Sequence, residues 1–249
     1  MSTAAASRDL PIREVARRVL RRDLPARYFD DQVAMLREAV APWLRPGIRI
    51  LDVGSGATPS IPPELRPEGT EYVGLDLSAT ELAKAPAGSY DRMIESDVTR
   101  HVAELDEGFD VIVSFQVFEH VKPLPAAFEN LRAYLRPGGV AAVQVSGTFS
   151  FHGLANRVVP QRIAVWAMER LLNRKPETVF PAYYDRCWAT AFAKVLAPWT
   201  SFRVTPQWMG GTYFWFSRPV QAAYIAYEEW ARRGGKDNLA SYYLVVAVR

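Results

Sequence analysis

Asp52, Asp76, Asp97 and the pair Glu119-His120 each stand at or near the end of an apolar run, and Gly54 and Gly56 follow the first of them at once. Two glycines flanking Ser55 let the backbone approach a ligand with no side chain in between. On its own this turn fits a dinucleotide, an adenosylmethionine or a plain tight turn. An acid about 20 residues beyond a glycine-rich turn is placed to accept hydrogen bonds from both hydroxyls of an adenosine ribose. That favours a ribose role for Asp76 over helix capping, for which Ser78 is the better residue. Asp97 can accept from an adenine amino group while Val98 packs on the ring face, and a helix-capping role for Asp97 stays equally open. His120, with an ordinary pKa of ~6.5, can take a proton at neutral pH, and Glu119 beside it at a strand end strengthens a functional reading. His152, in Ser150-Phe151-His152-Gly153, is the second candidate base, with a plain loop residue as the competing reading.

Positioning these groups falls to alternating strands and helices. Ile48–Val53, Glu71–Leu75, Arg92–Glu95, Phe109–Phe115 and Val140–Val145 read as five strands rich in β-branched residues. Leu124–Leu135 reads as a helix stopped by Pro137-Gly138-Gly139, and Tyr28–Leu44 as a helix stopped by Pro46-Gly47. Crossovers of this length imply a parallel sheet with helices on both faces, whose strand ends face a ligand crevice. Beyond Ser146 the pattern changes. Phe151–Lys175 carries a helical stripe at Ile163, Trp166, Met168 and Leu171, interrupted by Pro176 and Pro181. Asp185–Leu196 and Pro219–Arg233 read as helices, and Phe202–Trp208 and Tyr242–Val248 as strands. The expected organisation is an N-terminal helical segment (1–45) and a single domain (46–249) in which 147–200 forms a helical lid over the acceptor.

Length and composition agree with one sizeable α/β domain: 249 residues, 49% hydrophobic, 23% charged, net charge +3. Arg13, Arg17, Arg18, Arg21 and Arg22 recur on one predicted helix, best read as a solvated face. No run approaches ~18 apolar residues and no secretory leader is evident, so neither a membrane span nor export is expected. Cys187 is the lone cysteine, which excludes an intrachain disulfide and makes a cytoplasmic location the default.

Residues 48 to 146 resemble the class I, Rossmann-like S-adenosylmethionine-dependent methyltransferases, most closely the bacterial small-molecule group. The resemblance rests on Leu51-Asp52-Val53-Gly54-Ser55-Gly56, Gly74-Leu75-Asp76-Leu77-Ser78, Ser96-Asp97-Val98, Phe109–Ser114 with Glu119-His120-Val121, and Leu135-Arg136-Pro137-Gly138-Gly139, in that order. It implies a three-layer α/β fold with a mostly parallel seven-stranded sheet, the last strand antiparallel, and S-adenosylmethionine as the bound cofactor. It also implies Asp52 near the methionine part, the backbone of Gly54, Ser55 and Gly56 beneath it, Asp76 and Leu77 at the ribose, Asp97 and Val98 at the adenine, and Gln116 near the sulfonium.

Two departures stand out. The family's third small residue is Thr58 here, followed by Pro59, Pro62 and Pro63, so the first helix should be irregular or very short. Relatives that methylate quinone or catechol precursors carry Glu-x-x-Glu-His at the fourth strand, a cluster able to hold a divalent metal. This chain has Gln116-x-x-Glu119-His120, and the lost oxygen anion argues against a required metal.

Phe180-Pro181-Ala182-Tyr183-Tyr184-Asp185-Arg186 resembles segments of methyltransferases tied to bacterial surface saccharides. The expected reaction is therefore O-methylation of a sugar or glycolipid hydroxyl, with Glu119, Tyr184, Asp185 and Arg186 at the acceptor and His120 or His152 as base. A phenolic, quinone-type or natural-product acceptor is the alternative. From other classes, an NAD-dependent oxidoreductase and a non-catalytic adenosylmethionine-binding protein stay open. The expected partners are the small-molecule acceptor and a second copy of the chain in a homodimer. Nucleic acid is not expected, since the fourth strand lacks the Asn/Asp-Pro-Pro-aromatic loop of many base methylators and no basic channel is evident.

Overall fold

The computed structural model describes residues 10–151, 153–154 and 182–249. His152 and the expected helix around Ile163 and Trp166 therefore lie outside the described residues. Among those described, seven strands form one sheet in the order β3-β2-β1-β4-β5-β7-β6. They are β1 (Arg49–Val53), β2 (Glu71–Asp76), β3 (Arg92–Glu95), β4 (Phe109–Phe115), β5 (Leu135–Ser146), β6 (Ser201–Gln207) and β7 (Tyr242–Val248). All run parallel except β7, which lies antiparallel between β5 and β6 and sets Ala247 opposite both Ala141 and Phe202.

The period of two along each strand builds two cores. Leu51, Val53, Val73, Leu75 and Ile112 join one, and Ile50, Tyr72, Val111 and Val113 the other. The first is closed by helix α4 (Leu124–Tyr134) through Leu124, Ala127, Phe128 and Leu131, and by α5 (Ala189–Val195) through Phe192. The second is closed by α2 (Gln32–Val40), whose Leu36 and Val40 are fully buried. Asp31 caps α2, accepting from the Val33 and Ala34 amides. Helix α1 (Ile12–Leu20) packs Val15 and Val19 against Ala222 and Ile225 of α6 (Arg218–Arg233). The outward arginines of α1 are solvated, and among the described residues their ion pairs are the long contacts from Arg17 to Glu14 (3.7 Å) and Arg18 to Asp23 (3.6 Å). Among the described residues no helix is long and apolar enough to cross a membrane.

Two local features depart from simple pattern reading. Pro137-Gly138-Gly139 lies inside β5, at a pairing irregularity opposite Phe109 to Val111, with Gly138 at φ +80°. Between β1 and β2 there is no α-helix among the elements, only the 3-10 turn Pro63–Leu65, as expected of the proline run. Helix α3 (Ala79–Leu82) after β2 is a single turn, capped by Ser78.

Candidate functional site

The strand order reverses direction between β1 and β4, the place where an open α/β sheet leaves a crevice beyond its strand ends. A cleft of about 360 Å³ lies there. Gly54, Asp76, Leu77, Asp97, Val98 and Gln116 line it, joined by His120. The glycine turn adopts a shape that side chains resist: Gly54 has φ +71° and Gly56 φ +50°. A Cβ on Gly54 would meet Val117 Cγ2 at 2.3 Å. Asp76 fastens the turn to the end of β2, its Oδ2 accepting from the Gly56 amide (3.0 Å) and its Oδ1 from the Ser78 amide (2.9 Å). Asp97 folds its own loop, accepting through Oδ1 from both the amide and the hydroxyl of Thr99 at 2.8 Å.

At the end of β4 the chain takes a left-handed residue at Gln116, φ +56°. That stops the strand and starts the 3-10 turn Phe118–His120, which puts Gln116, Val117 and His120 on the cleft and buries Phe118 and Glu119. Ser146, at the end of β5, donates from its hydroxyl to Gln116 Oε1 (2.7 Å), while the buried Gln116 Nε2 has no hydrogen-bond partner. Glu119 Oε2 is likewise buried and unpartnered, and burial pushes its carboxyl above the usual range. A donor left unmet on a residue that lines a cleft is what a polar ligand would satisfy.

Several expected site residues are placed elsewhere. Asp52 points away from the cleft, fully buried on the α2 side of the sheet. Its Oδ2 accepts from the Ser60 amide and the Tyr72 hydroxyl, both at 2.6 Å, and its Oδ1 from the Ser60 hydroxyl (2.9 Å). Tyr72 in turn accepts from the Ile61 amide (3.0 Å). Asp52 therefore anchors the proline-rich strap in place of a first helix and does not line the cleft. Ser55 is buried and Gly56 faces Asp76, so neither lines the cleft.

The expected acceptor group also separates. Tyr184 is buried, Asp185 Oδ2 accepts from the Leu124 amide at the start of α4 (3.0 Å), and Arg186 opens onto a different recess. Tyr184 and Arg186 have φ of +48° and +58°, and these left-handed turns send neighbouring side chains apart. Tyr183, part of the 180–186 segment but not among the expected acceptor residues, lines the cleft together with Lys122, Nζ 6.0 Å from its ring centre. A second recess beside Phe115, the residue before Gln116, is walled by Tyr28, Met209, Thr212 and Tyr242. Among the described residues no three His, Cys, Asp or Glu side chains gather closely enough to hold a metal ion.

Burial pushes the Asp52 carboxyl up to about 6, against the Tyr72 and Ser60 hydrogen bonds that lower it. With its folded value raised, Asp52 stabilises the fold fully only below its unfolded value, and that contribution is lost as pH rises from about 4 to about 6. Asp52→Asn keeps an oxygen acceptor and removes the titration. In denaturant titrations at pH 4 and 6.5, wild type should therefore lose about 2–3 kcal/mol relative to the variant between the two. Equal pH profiles for the two proteins would sink this reading.

A family profile described as a methyltransferase domain matches residues 21–192. The ubiquinone biosynthesis O-methyltransferase of Brucella melitensis is 34% identical over 124 residues, which are 48% of this chain and 50% of that protein. This stretch spans about half the length of such curated relatives. Among solved structures, phosphoethanolamine N-methyltransferase 2 of Haemonchus contortus aligns over 88% of this chain and 52% of its own, with a TM-score of 0.53 at 16% identity. The cyclase SpnF aligns over 87% of this chain and 79% of its own, with a TM-score of 0.52 at 16% identity. Likeness at that level is one of fold, and a fold shared by methyltransferases and a cyclase leaves the chemistry to the site.

Proposed function

The chain belongs to the methyltransferase-domain family, and from that premise we propose that it moves a methyl group from S-adenosylmethionine to the oxygen of a phenolic or quinone-type small molecule. The observation that carries the donor assignment is the cleft at the β1–β4 reversal. Its wall combines a glycine turn at which no Cβ fits, a strand-end carboxylate at Asp76 and the unpartnered Gln116 Nε2. These residues fit an adenosine-bearing ligand. Asp76 faces the ribose hydroxyls, Asp97 and Val98 hold the adenine, and Gln116 Nε2 donates to the ligand's polar end.

When bound, S-adenosylmethionine supplies a methyl group on a sulfonium, ready for in-line displacement. The protein's own share is alignment, exclusion of water and removal of one proton. Val117, Val121 and Tyr183 make the apolar side of the cleft, and the recess beside Phe115 sets Phe115, Met209 and Tyr242 against Asp30 and Asp31; the apolar faces suit a flat ring. His120 takes the proton that the acceptor hydroxyl gives up. Tyr184, Asp185 and Arg186 do not meet at this cleft, which removes the support that they lent to a saccharide. The curated relatives are named for ubiquinone biosynthesis, in line with the phenolic alternative.

Labelled S-adenosylmethionine offered with catechols, hydroxybenzoates and a saccharide panel tests the reading. Phenols should be methylated, and His120→Gln should lower kcat by about 10²–10³-fold with little change in the KM for the donor. Turnover of saccharides alone would overturn the acceptor class, and an unchanged kcat would remove His120 from the chemistry.

A further inference from the structure

On the far side of α4 lies a recess of about 590 Å³ that shares no residue with the cofactor cleft. Its charged lining is Arg132, Arg186 and Lys194 with a single carboxylate, Glu129, and its walls include the indoles of Trp188 and Trp199. Several arginines elsewhere on the surface are neutralised. Arg45, Arg49, Arg92, Arg136, Arg232, Arg233 and Arg249 all form ion pairs with carboxylates. Arg132, Arg186 and Lys194 form none with the described residues, although Glu129 shares their recess. Three cations around one recess with a single carboxylate give it a positive field that draws anions.

Backbone geometry adds to this. Arg186 is held at φ +58°, a conformation that costs about 1–2 kcal/mol for a residue with a side chain. Its neighbours are pinned: the Tyr184 amide donates to Glu119 O (2.9 Å) and Asp185 accepts from the Leu124 amide (3.0 Å). The strain thus serves to aim Arg186 away from the cleft and into the recess. Trp199 is buried and locked edge-on against Phe128 (6.5 Å between ring centres), so the indole wall is preformed.

We propose that this recess is a second binding site, for a phosphate ester carried on a planar ring. Three cations against one carboxylate leave a formal charge of +2, which matches a phosphate monoester of about −1.5 to −2. Guanidinium groups meet phosphate oxygens through paired N–H donors, and the indoles supply a flat apolar surface for the ring. Neither methyl transfer nor the donor cleft uses any of these residues, so the site stands independently of the proposed reaction.

Calorimetric titration of phenyl phosphate into the full chain, with and without S-adenosylhomocysteine, tests it. Saturable one-to-one binding is expected in both conditions, weakened at least about tenfold in Arg132→Gln/Arg186→Gln and unchanged in His120→Gln, which alters only the cleft. Thermal melting of each variant checks that the surface changes leave the fold intact. Inorganic phosphate should bind more weakly than phenyl phosphate; equal affinity would overturn the ring-binding role of the indoles. No saturable binding, or binding indifferent to the arginine changes, would overturn the site.

Discussion

Gly54→Ala is expected to abolish donor binding for practical purposes. The new Cβ would lie 2.3 to 2.9 Å from three Val117 side-chain carbons, closer than real Cβ contacts come. It would also force an L-residue to φ +71°, at about 1–2 kcal/mol. The turn can escape only by moving. Its amide now donates to Leu75 O at 2.6 Å, and Gly56 hangs from Asp76, so movement there displaces both ends of the cradle together. Misplacement of a binding loop by about 1 Å is enough to lose roughly 10²-fold or more. Adding Val117→Ala should relieve the clash and restore part of the stability, while the φ cost stays. If the double variant recovered no more stability than Gly54→Ala alone, steric contact with Val117 would not be the cause.

The second large effect is expected at Glu228, which does not line the donor cleft. This carboxylate on α6 is completely buried and accepts from the Tyr28 hydroxyl, the Ser241 hydroxyl (2.5 Å) and the Gly210 amide (2.9 Å). It therefore gathers the N-terminal segment, the turn before Gly211 and the approach to β7 onto one acceptor. Alongside it, Glu229 pairs with Arg27 (2.5 Å), Arg232 (3.1 Å) and Arg233 (2.8 Å). Burial raises the Glu228 carboxyl, yet the three donors need its oxygens. Glu228→Ala leaves those donors unmet in a dry interior, at about 3–5 kcal/mol. For a chain of this size that is a fall of roughly 10 °C in Tm. Glu228→Gln keeps one oxygen acceptor and should lose much less. Because Tyr28 also walls the recess beside Phe115, the alanine variant should lose acceptor affinity along with stability. A melting temperature within a degree or two of wild type would contradict this account of how the N-terminal segment is held.

The fold was legible because its determinants are local. β-branched runs at Val111–Val113 and Val140–Val145 form buried parallel strands at any position in such a sheet, and an acid at a strand end sits at the crevice by topology. Asp76, Asp97 and Gln116 line the cleft, as their strand-end positions suggest. Asp52 does not, since its partners Ser60 and Tyr72 come from a proline strap and a neighbouring strand, and only folding shows that they claim every oxygen. Tyr184-Asp185-Arg186 looked like one acceptor patch because the segment resembles stretches of methyltransferases tied to surface saccharides. Left-handed backbone at Tyr184 and Arg186 breaks that inference, and no residue-type signal announces it. Tyr28 and Glu228 are separated by 200 positions, so their junction had no sequence signature. Tyr183 stood inside the 180–186 segment as one of many aromatics in the second half of the chain, and nothing in its type set it apart from them.

The central claim is that the β1–β4 cleft is the donor site. Calorimetric titration of S-adenosylhomocysteine and, separately, NADH into wild type and Gly54→Ala tests it most directly. One-to-one binding of S-adenosylhomocysteine to wild type, its loss by at least about 10²-fold in the variant, and no binding of NADH are the expected results. Binding of NADH in preference, or S-adenosylhomocysteine affinity untouched by Gly54→Ala, would contradict it.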